Sequence, residues 1–226
     1  ATAIQQYLNE GYLPEAMVNY LVRLGWSFKN QEIFSREELI QNFSFKQVGA
    51  SAAMFDPDKL LWINAHYIKT GESKRIASLL VLHLEQLGIT TVTIEPDYLE
   101  KVVIALRERS RTLKEMAESA DYFFAEEIAV DAKANDLLTK KTLPVLKAVY
   151  DLLLAIPFEH DILEKAFKSV GLAMGLKLAD VAQPVRAAVT GKTVSPGIFD
   201  VLMLLGKETT LKRLHWHIHH LSDDAT

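Results

Sequence analysis

Apolar residues recur with a helical period through nearly the whole chain, and this pattern restricts the fold to packed α-helices. The last predicted helix, residues 210–221, shows it clearly, with apolar side chains three or four residues apart at Leu211, Leu214, Ile218 and Leu221. Residues 89–94 are the one β-like stretch, and their β-branched content alone would allow one short strand. Because they lie between a glycine and a proline, we interpret them as a connector. The sequence therefore predicts an all-α fold of helical bundles.

Helix-start signals occur early in the chain. Ser35 and Glu38 have the spacing of a capping box, in which each side chain bonds the backbone N–H group at the other position. Asp56 followed by Pro57 is a second signal, since aspartate accepts from free amides and proline has no N–H group to leave unpaired. We therefore expect helices to begin at both sites.

Two further helices are predicted from similar signals in the rest of the chain. Asp97 can cap a long helix that we expect to run over residues 97–118. The pair Ser195-Pro196 is expected to begin a helix that Gly206 ends. Both helices matter because each carries candidate site residues.

Composition excludes several classes of protein. The chain has 226 residues and no cysteine, so it forms no disulfide and no thiolate metal site. No apolar run is long enough to span a bilayer and the N-terminus lacks a signal-peptide pattern, so we expect a cytoplasmic protein without membrane contact. The formal net charge of −4 argues against nucleic-acid binding, because phosphate neutralisation drives such affinity. Binding to RNA would therefore require a local basic cluster.

No recognisable catalytic constellation is present. The sequence has no glycine-rich phosphate loop, no nucleophile elbow and no zinc-protease helix motif. Four histidines lie close together near the C-terminus: His215, His217, His219 and His220. His215 and His219 share a helix face, which leaves a metal-dependent hydrolase open as an alternative, but no third ligand is evident. We expect no catalytic residue, no metal and no cofactor in this chain.

One segment supplies a local basic cluster. If residues 97–118 form one helix, Arg107, Arg111 and Lys114 fall on one stripe, which suits contact with a phosphate backbone. Arg109 lies beside the apolar face instead, where its stem would pack and its guanidinium would suit the edge of a base. The alternative interpretation is that all four are ordinary surface charges paired with neighbouring glutamates.

A second candidate surface begins with Gln183 and Arg186 and continues at Ser195-Pro196-Gly197-Ile198. At a helix start, a glycine lets another chain approach the backbone closely, and free N–H groups can bond a base or a phosphate. Ile198 could pack on the face of a base. Taken alone, this pattern is common at helix starts.

Longer motifs connect these observations to a known family. Residues 11–16 read Gly-Tyr-Leu-Pro-Glu-Ala, and residues 55–60 read Phe-Asp-Pro-Asp-Lys-Leu. Residues 181–191 read Val-Ala-Gln-Pro-Val-Arg-Ala-Ala-Val-Thr-Gly, and residues 195–199 read Ser-Pro-Gly-Ile-Phe. These motifs span nearly the whole chain in family order, and the sequence resembles bacterial-type glutamate–tRNA ligases.

The resemblance implies a helical cage in three parts. These are a stem-contact helical region at 1–72 and two anticodon-binding helical subdomains, at 73–130 and 131–226. It implies tRNA(Glu), not DNA, as the partner. It also implies a catalytic domain in cis that attaches glutamate with ATP and Mg and that is missing from this chain, so the chain alone is expected to be inactive.

Site residues carry over from the family position by position. Arg109 matches the arginine that reads the first anticodon base in discriminating members, where non-discriminating members tend to carry glutamine. Arg186 matches a second anticodon-contacting arginine. The loop that touches the other anticodon bases is matched by Ser195, Pro196 and Ile198, although the family often has threonine in place of the serine. Two neighbours complete the expected anticodon contacts, Gln183 and Gly197, and the expected tRNA backbone contacts are Arg107, Arg111 and Lys114.

Two other functions remain open on sequence grounds. A helical protein-interaction module fits the negative net charge and the apolar last helix. A glutamine-specific ligase is a related alternative, but its bacterial anticodon region is β-barrel in character, and a strand pattern is almost absent here.

Overall fold

The computed structural model describes residues 4–49 and 54–223, which form α-helices and one 3₁₀ turn without a β-strand. The predicted all-α fold is therefore confirmed, and residues 89–94 are a connector. None of the described helices combines the length and the apolar character needed to cross a bilayer. The chain forms two compact units, Ala1–Glu118 and Ser119–Thr226. The predicted three-part division is finer and stays a prediction, and its outer ends, residues 1 and 226, lie outside the described residues.

Two helices of the first unit begin where the capping signals at Ser35 and Asp56 place them. The cap predicted at Asp97 is wrong, because that helix begins at Pro96 and its N-cap residue, Glu95, makes no side-chain capping bond. In chain order the helices of this unit are α1 Ile4–Asn9, α2 Pro14–Gly25, α3 Arg36–Asn42, α4 Pro57–Thr70, α5 Ser73–Gln86 and α6 Pro96–Leu106, with the 3₁₀ turn at Phe45–Gln47. The Glu38 amide donates to Ser35 Oγ at 3.1 Å, and the Ser35 amide donates to Glu38 Oε2 at 2.7 Å, which confirms the capping box. The Lys59 amide donates to Asp56 Oδ1 at 3.0 Å, which confirms the second start signal.

The single long helix predicted over residues 97–118 is wrong. Helix α6 ends at Leu106, and the next helix, α7, covers Leu113–Phe124. Residues 107–112 between them form a turn, which we call the arginine turn. The first amide of α7 donates to the carbonyl of Gly11 at 3.0 Å. This long-range bond takes the place of a helical one, at a position where no glycine or proline marks a break.

Four longer helices pack together in the second unit. The helices that follow α7 are α8 Ala132–Asn135, α9 Leu143–Ala155, α10 His160–Met174, α11 Leu178–Thr190 and α12 Ile198–Asp223. Helices α9 to α12 all contact one another and bury an apolar core between them. Helix α12 is interrupted at Gly206, where φ is 76° and ψ is 167°, so the helix end predicted at this glycine is confirmed.

The start predicted for α12 lies too early. The helix begins at Ile198 rather than at Ser195-Pro196, and its first bond runs from the Val201 amide to the Gly197 carbonyl at 3.0 Å. The hydroxyl expected to cap the helix instead accepts a hydrogen bond from an arginine of α11. The Ser195 hydroxyl is therefore bonded to a side chain of the neighbouring helix and does not cap α12.

Candidate nucleic-acid interface

The arginine turn, residues 107–112, is held by buried hydrogen bonds. Asn64 on α4 is fully buried, and its Nδ2 donates to the Arg111 carbonyl at 2.6 Å. The same nitrogen donates to the Gly11 carbonyl at 3.3 Å, while Oδ1 accepts from the Leu13 amide at 2.8 Å. One side-chain amide therefore ties the turn to the segment that precedes α2. The sequence motifs contained Asn64, but nothing in its spacing indicated this contact.

A glycine permits the close approach of these segments. Gly11 has a φ of +83°, and a Cβ added there would lie 2.6 Å from the Leu113 amide nitrogen and closer still to that of Lys114. Within the turn itself, Ser110 Oγ donates to the Leu106 carbonyl at 3.0 Å. The backbone of the turn is therefore fixed on both sides.

The three arginines of the turn have different surroundings. Arg109 is exposed, and its guanidinium makes no ion pair or side-chain hydrogen bond with the residues that the structure describes. Arg107 is half-buried and donates to Ser73 Oγ at 3.3 Å. Arg111 lies 2.7 Å from Glu115 Oε1, and this bond raises the pKa of the guanidinium above its ordinary value. Of the three, Arg109 is the one available to an acceptor from another molecule.

Two expectations for this segment are wrong. Arg107, Arg111 and Lys114 do not share a helix stripe, because the turn separates the first two from α7. Arg109 does not pack along an apolar face, so the fixed backbone beneath it, rather than its stem, determines where it stands. Arg111 is paired with Glu115, as the alternative interpretation of these arginines as ordinary surface charges predicted.

A shallow cavity of about 260 Å³ adjoins the turn and is also lined by four residues of α4: Trp62, Ala65, His66 and Lys69. The indole is 52% exposed, with Lys59 Nζ 5.6 Å from its ring centroid. Exposed aromatic rings beside cations are typical of surfaces that bind unstacked nucleotides. The chemistry around Arg109 therefore suits a base and its phosphate.

The second candidate surface is the loop between α11 and α12, residues 191–197, which we call the α11–α12 loop. Arg186 on α11 donates through one guanidinium nitrogen to Ser195 Oγ and to the Pro196 carbonyl, the latter at 2.7 Å. Ser195 and Pro196 are buried, and Arg186 is half-buried. This arginine therefore fixes the loop from within.

The start of the loop is fixed as well. Thr190 Oγ1 donates to the Arg186 carbonyl at 2.8 Å and accepts from the Lys192 amide at 3.1 Å. Gly191 has a φ of +69°, and a Cβ added there would collide with the Ala129 carbonyl oxygen. The loop is thus a second rigid element rather than a flexible connection.

The residues predicted to contact the anticodon from this surface differ in exposure. Gln183 and Gly197 are exposed. Ile198 is only 6% exposed and belongs to the core, so it does not offer the surface expected for packing on a base. Val194, which the pattern did not single out, is 71% exposed in the same loop. The sequence did carry a signal for Val194, because it is an apolar residue in a loop of mostly polar residues.

Buried polar groups on α12 support α11. Arg213 is 6% exposed and donates to three carbonyls at 2.6–2.9 Å, those of Val189, Tyr122 and Ala125. His217 is also 6% exposed, and burial, with a smaller contribution from nearby His220, lowers its pKa to about 4. The imidazole is therefore neutral near neutral pH.

The C-terminal histidines are arranged for packing. The rings of His215 and His219 lie 4.2 Å apart, and Tyr150 packs on the first of them at 5.7 Å. His220 stacks on Trp216 with 3.7 Å between ring centroids. In the described part of the chain, no group of three or more His, Cys, Asp or Glu side chains is placed to hold a metal ion.

Comparison with known families divides the chain into two stretches. Residues 75–218 match the family described as the anticodon binding domain. Residues 1–62 match the catalytic domain of class I tRNA synthetases (E and Q). The first 62 residues, for which we predicted a stem-contact role, therefore lie within the match to a catalytic-domain family.

Individual relatives point the same way. The chain is 51% identical over 219 residues to a glutamate–tRNA ligase of Geotalea uraniireducens, covering 95% of this chain and 46% of the relative. It is 45% identical over 223 residues to that of Geobacter sulfurreducens, covering 98% and 47%. A solved glutamate tRNA ligase from Elizabethkingia meningosepticum, in complex with its amino acid, superposes with a TM-score of 0.84 at 27% identity, covering 95% of this chain and 43% of that one. The chain thus spans about half the length of the curated relatives it matches. It belongs to the anticodon-binding domain family, and it resembles the C-terminal region of bacterial-type glutamate–tRNA ligases, as its motifs predicted.

Proposed function

We propose that this chain recognises the anticodon arm of tRNA(Glu) as part of a glutamate–tRNA ligase. The observation that carries the proposal is the exposed Arg109 guanidinium, which stands on a backbone fixed by buried bonds and has no acceptor among the described residues. The family match over residues 75–218 includes this turn and supports RNA as the acceptor. A guanidinium can pair with two acceptors on a base edge, and such a contact is worth roughly 1–3 kcal/mol of discrimination. Arg109 would then read the first anticodon base.

The α11–α12 loop has a different part in this proposal. Arg186 keeps the loop in shape through Ser195 and Pro196, and its side chain is only partly exposed. Gln183 and Gly197 are exposed and available for direct contact with the other anticodon nucleotides. The proposed recognition thus combines a reading arginine with a preshaped backbone.

Positive charge near the arginine turn supplies the attraction to phosphate. Lys114 is exposed, whereas Arg111 is paired with Glu115 and would have to exchange that partner for a phosphate oxygen. Arg107 lies against Ser73 and offers only part of its surface. With a net charge of −4 overall, binding depends on this local arrangement and should weaken as salt rises.

By the same proposal, the complete protein carries a catalytic domain in cis and acts in the cytoplasm. That domain would attach glutamate to the tRNA with ATP and Mg, while anticodon binding orients the acceptor end. The match of residues 1–62 to a class I catalytic-domain family supports this arrangement. Neither DNA nor a membrane is a proposed partner.

Filter binding of a synthetic tRNA(Glu) anticodon stem–loop at two salt concentrations tests the proposal. We expect affinity that falls steeply with salt, together with a preference for one base at the first anticodon position. Equal binding of stem–loops that differ only at that base would remove the role of Arg109. Absence of binding at both salt concentrations would overturn the proposal and favour a helical protein-interaction module.

A further inference from the structure

We infer that Asn64 is a positioning residue for anticodon reading, because its buried amide holds the arginine turn where Arg109 can meet a base. This inference rests on the proposed function. It concerns a residue that makes no contact with RNA itself, since its side chain has no exposed surface.

The amide of Asn64 suits this position because it both donates and accepts. Its Oδ1 takes the Leu13 amide hydrogen, while its Nδ2 serves the carbonyls of Arg111 and Gly11. A carboxylate has the same shape but only acceptors, and it would face two carbonyl oxygens without a hydrogen to offer. A buried carbonyl that loses its donor costs the desolvation of that group, so the segments should shift apart when the amide is replaced.

The position of the Arg109 side chain depends on the backbone that Asn64 supports. Its guanidinium has no ion pair or side-chain hydrogen bond with the described residues, so no such bond of its own fixes its direction. The Arg111 carbonyl, only two residues further along the turn, is the group that Asn64 binds most closely, at 2.6 Å. A small displacement here moves the guanidinium relative to a base edge, where paired hydrogen bonds tolerate little error.

The same amide connects two stretches with different family matches. Gly11 and Leu13 lie within residues 1–62, which match a catalytic-domain family, while Arg111 lies within the anticodon-domain match. All of these groups belong to the same compact unit. The amide of Asn64 therefore joins the two stretches within this unit.

A matched pair of variants separates positioning from plain stability. Asn64→Asp replaces the buried side-chain amide with a carboxyl group, so the Nδ2 donor to the Arg111 and Gly11 carbonyls is lost. The control is Asn19→Asp, because Asn19 is equally buried in the same unit, donates to the Glu32 carbonyl at 2.8 Å and accepts from the Phe34 amide at 2.8 Å. The control variant therefore loses a comparable bond away from the turn.

The measurement is the ratio of affinities for two anticodon stem–loops that differ only at the anticodon base assigned to Arg109. It is made for each variant with Arg109 and again in the Arg109→Gln background. We expect Asn64→Asp to lower this ratio roughly threefold or more when Arg109 is present, and to leave it unchanged when Arg109 is absent. Asn19→Asp should leave the ratio unchanged in both backgrounds.

Other results overturn the inference. If Asn64→Asp changes the ratio equally in both backgrounds, or if Asn19→Asp lowers it as much, the effect is general loss of stability. If Asn64→Asp does not fold, Thr112→Val takes its place, since it removes the hydroxyl that accepts from the Glu115 amide at 3.1 Å at the other end of the turn. It should lower the ratio to a smaller extent, and an unchanged ratio counts against positioning. A ratio of one in the unmodified chain overturns the role of Arg109 and this inference together, whereas a normal ratio that survives Asn64→Asp overturns only the inference.

Discussion

The arginine turn and the α11–α12 loop each present an arginine, but the two side chains are used in opposite ways. Arg109 is exposed and its guanidinium has no partner among the described residues, while the backbone beneath it is fixed by Asn64. Arg186 is half-buried and spends hydrogen bonds on Ser195 and Pro196 of its own chain. In the arginine turn, a fixed backbone exposes Arg109. In the α11–α12 loop, the Arg186 side chain itself holds the backbone.

This difference separates specificity from support. A guanidinium that is unbonded in the free protein gains its hydrogen bonds only with a ligand, so its removal should affect recognition and leave folding nearly unchanged. A guanidinium that holds a loop contributes in the free protein as well, so its removal should affect both. The experiments below test this distinction, beginning with the largest expected effect.

The support beneath the two arginines should respond differently to acid. Asn64 does not titrate, whereas His217 is buried on α12, and this burial lowers its pKa to about 4. Between pH 6.5 and 4 the unfolded chain binds a proton that the folded chain does not, so stability should fall as the pH falls through this range and level off below it. The loss is at most about 3 kcal/mol.

Hydrogen exchange of the α11 and α12 amides across this pH range measures the effect. His217→Gln should flatten the pH dependence. The control is His219→Gln, which removes an exposed imidazole from the same helix and should preserve the slope. An unchanged slope in His217→Gln would assign the acid response to another group.

Replacing Arg186 should damage both folding and binding. Arg186→Ala removes the guanidinium bonds to Ser195 Oγ and to the Pro196 carbonyl, which keeps only its bond from the Ser195 hydroxyl, and we expect this to cost roughly 1.5–3 kcal/mol of unfolding free energy. Affinity for the anticodon stem–loop should fall as the loop loosens. Thermal unfolding and filter binding at moderate salt measure the two effects, and an unchanged affinity would exclude a role for this arginine in recognition.

Replacing Arg109 should leave folding alone. In Arg109→Gln we expect the unfolding free energy to stay within about 0.5 kcal/mol of the original, because the side chain is exposed and has no partner to lose. Discrimination at the first anticodon base should fall by roughly 1–3 kcal/mol. Competition binding between stem–loops that differ only at this base measures the discrimination. A large loss of stability with preserved discrimination would reverse the comparison between the two arginines.

The smallest effect is expected at Arg111, because this guanidinium is already paired with Glu115. In Arg111→Gln the slope of log affinity against log salt should change by less than about 1, the value for one full phosphate contact. Lys114→Gln is the comparison, since that ammonium is exposed and outside any ion pair of the described residues. A change of slope larger in Arg111→Gln than in Lys114→Gln would show that the pair with Glu115 opens on binding.

Local chemistry predicted much of this fold, because capping acts between residues close in sequence. The capping box at Ser35, the start at Asp56-Pro57 and the break at Gly206 all depend on interactions within a few residues, and all are confirmed. The all-α class follows from periodicity, which is also local. These features could be predicted without knowing where any helix packs.

The errors arose where a distant residue competes for a backbone group or a cap. The helix over 97–118 breaks because the Gly11 carbonyl and the Asn64 amide bond the segment around the break. The cap predicted at Ser195 fails because Arg186 takes its hydroxyl. The candidate site depends on these same contacts. Its residues could be named from family motifs, whereas their exposure and support could not.

The interruption at Gly206 allows the two parts of α12 to bury faces that a continuous helix could not. Leu205 before the glycine and Leu214 after it are both buried, yet nine residues at about 100° each would put them on opposite sides of a regular helix. The glycine resets the rotational phase, and a Cβ added there would meet nothing within 4 Å. Which side of the helix is buried after Gly206 is therefore independent of which side is buried before it. Arg213 reaches the Val189 carbonyl, and His217 its buried position, because of that freedom.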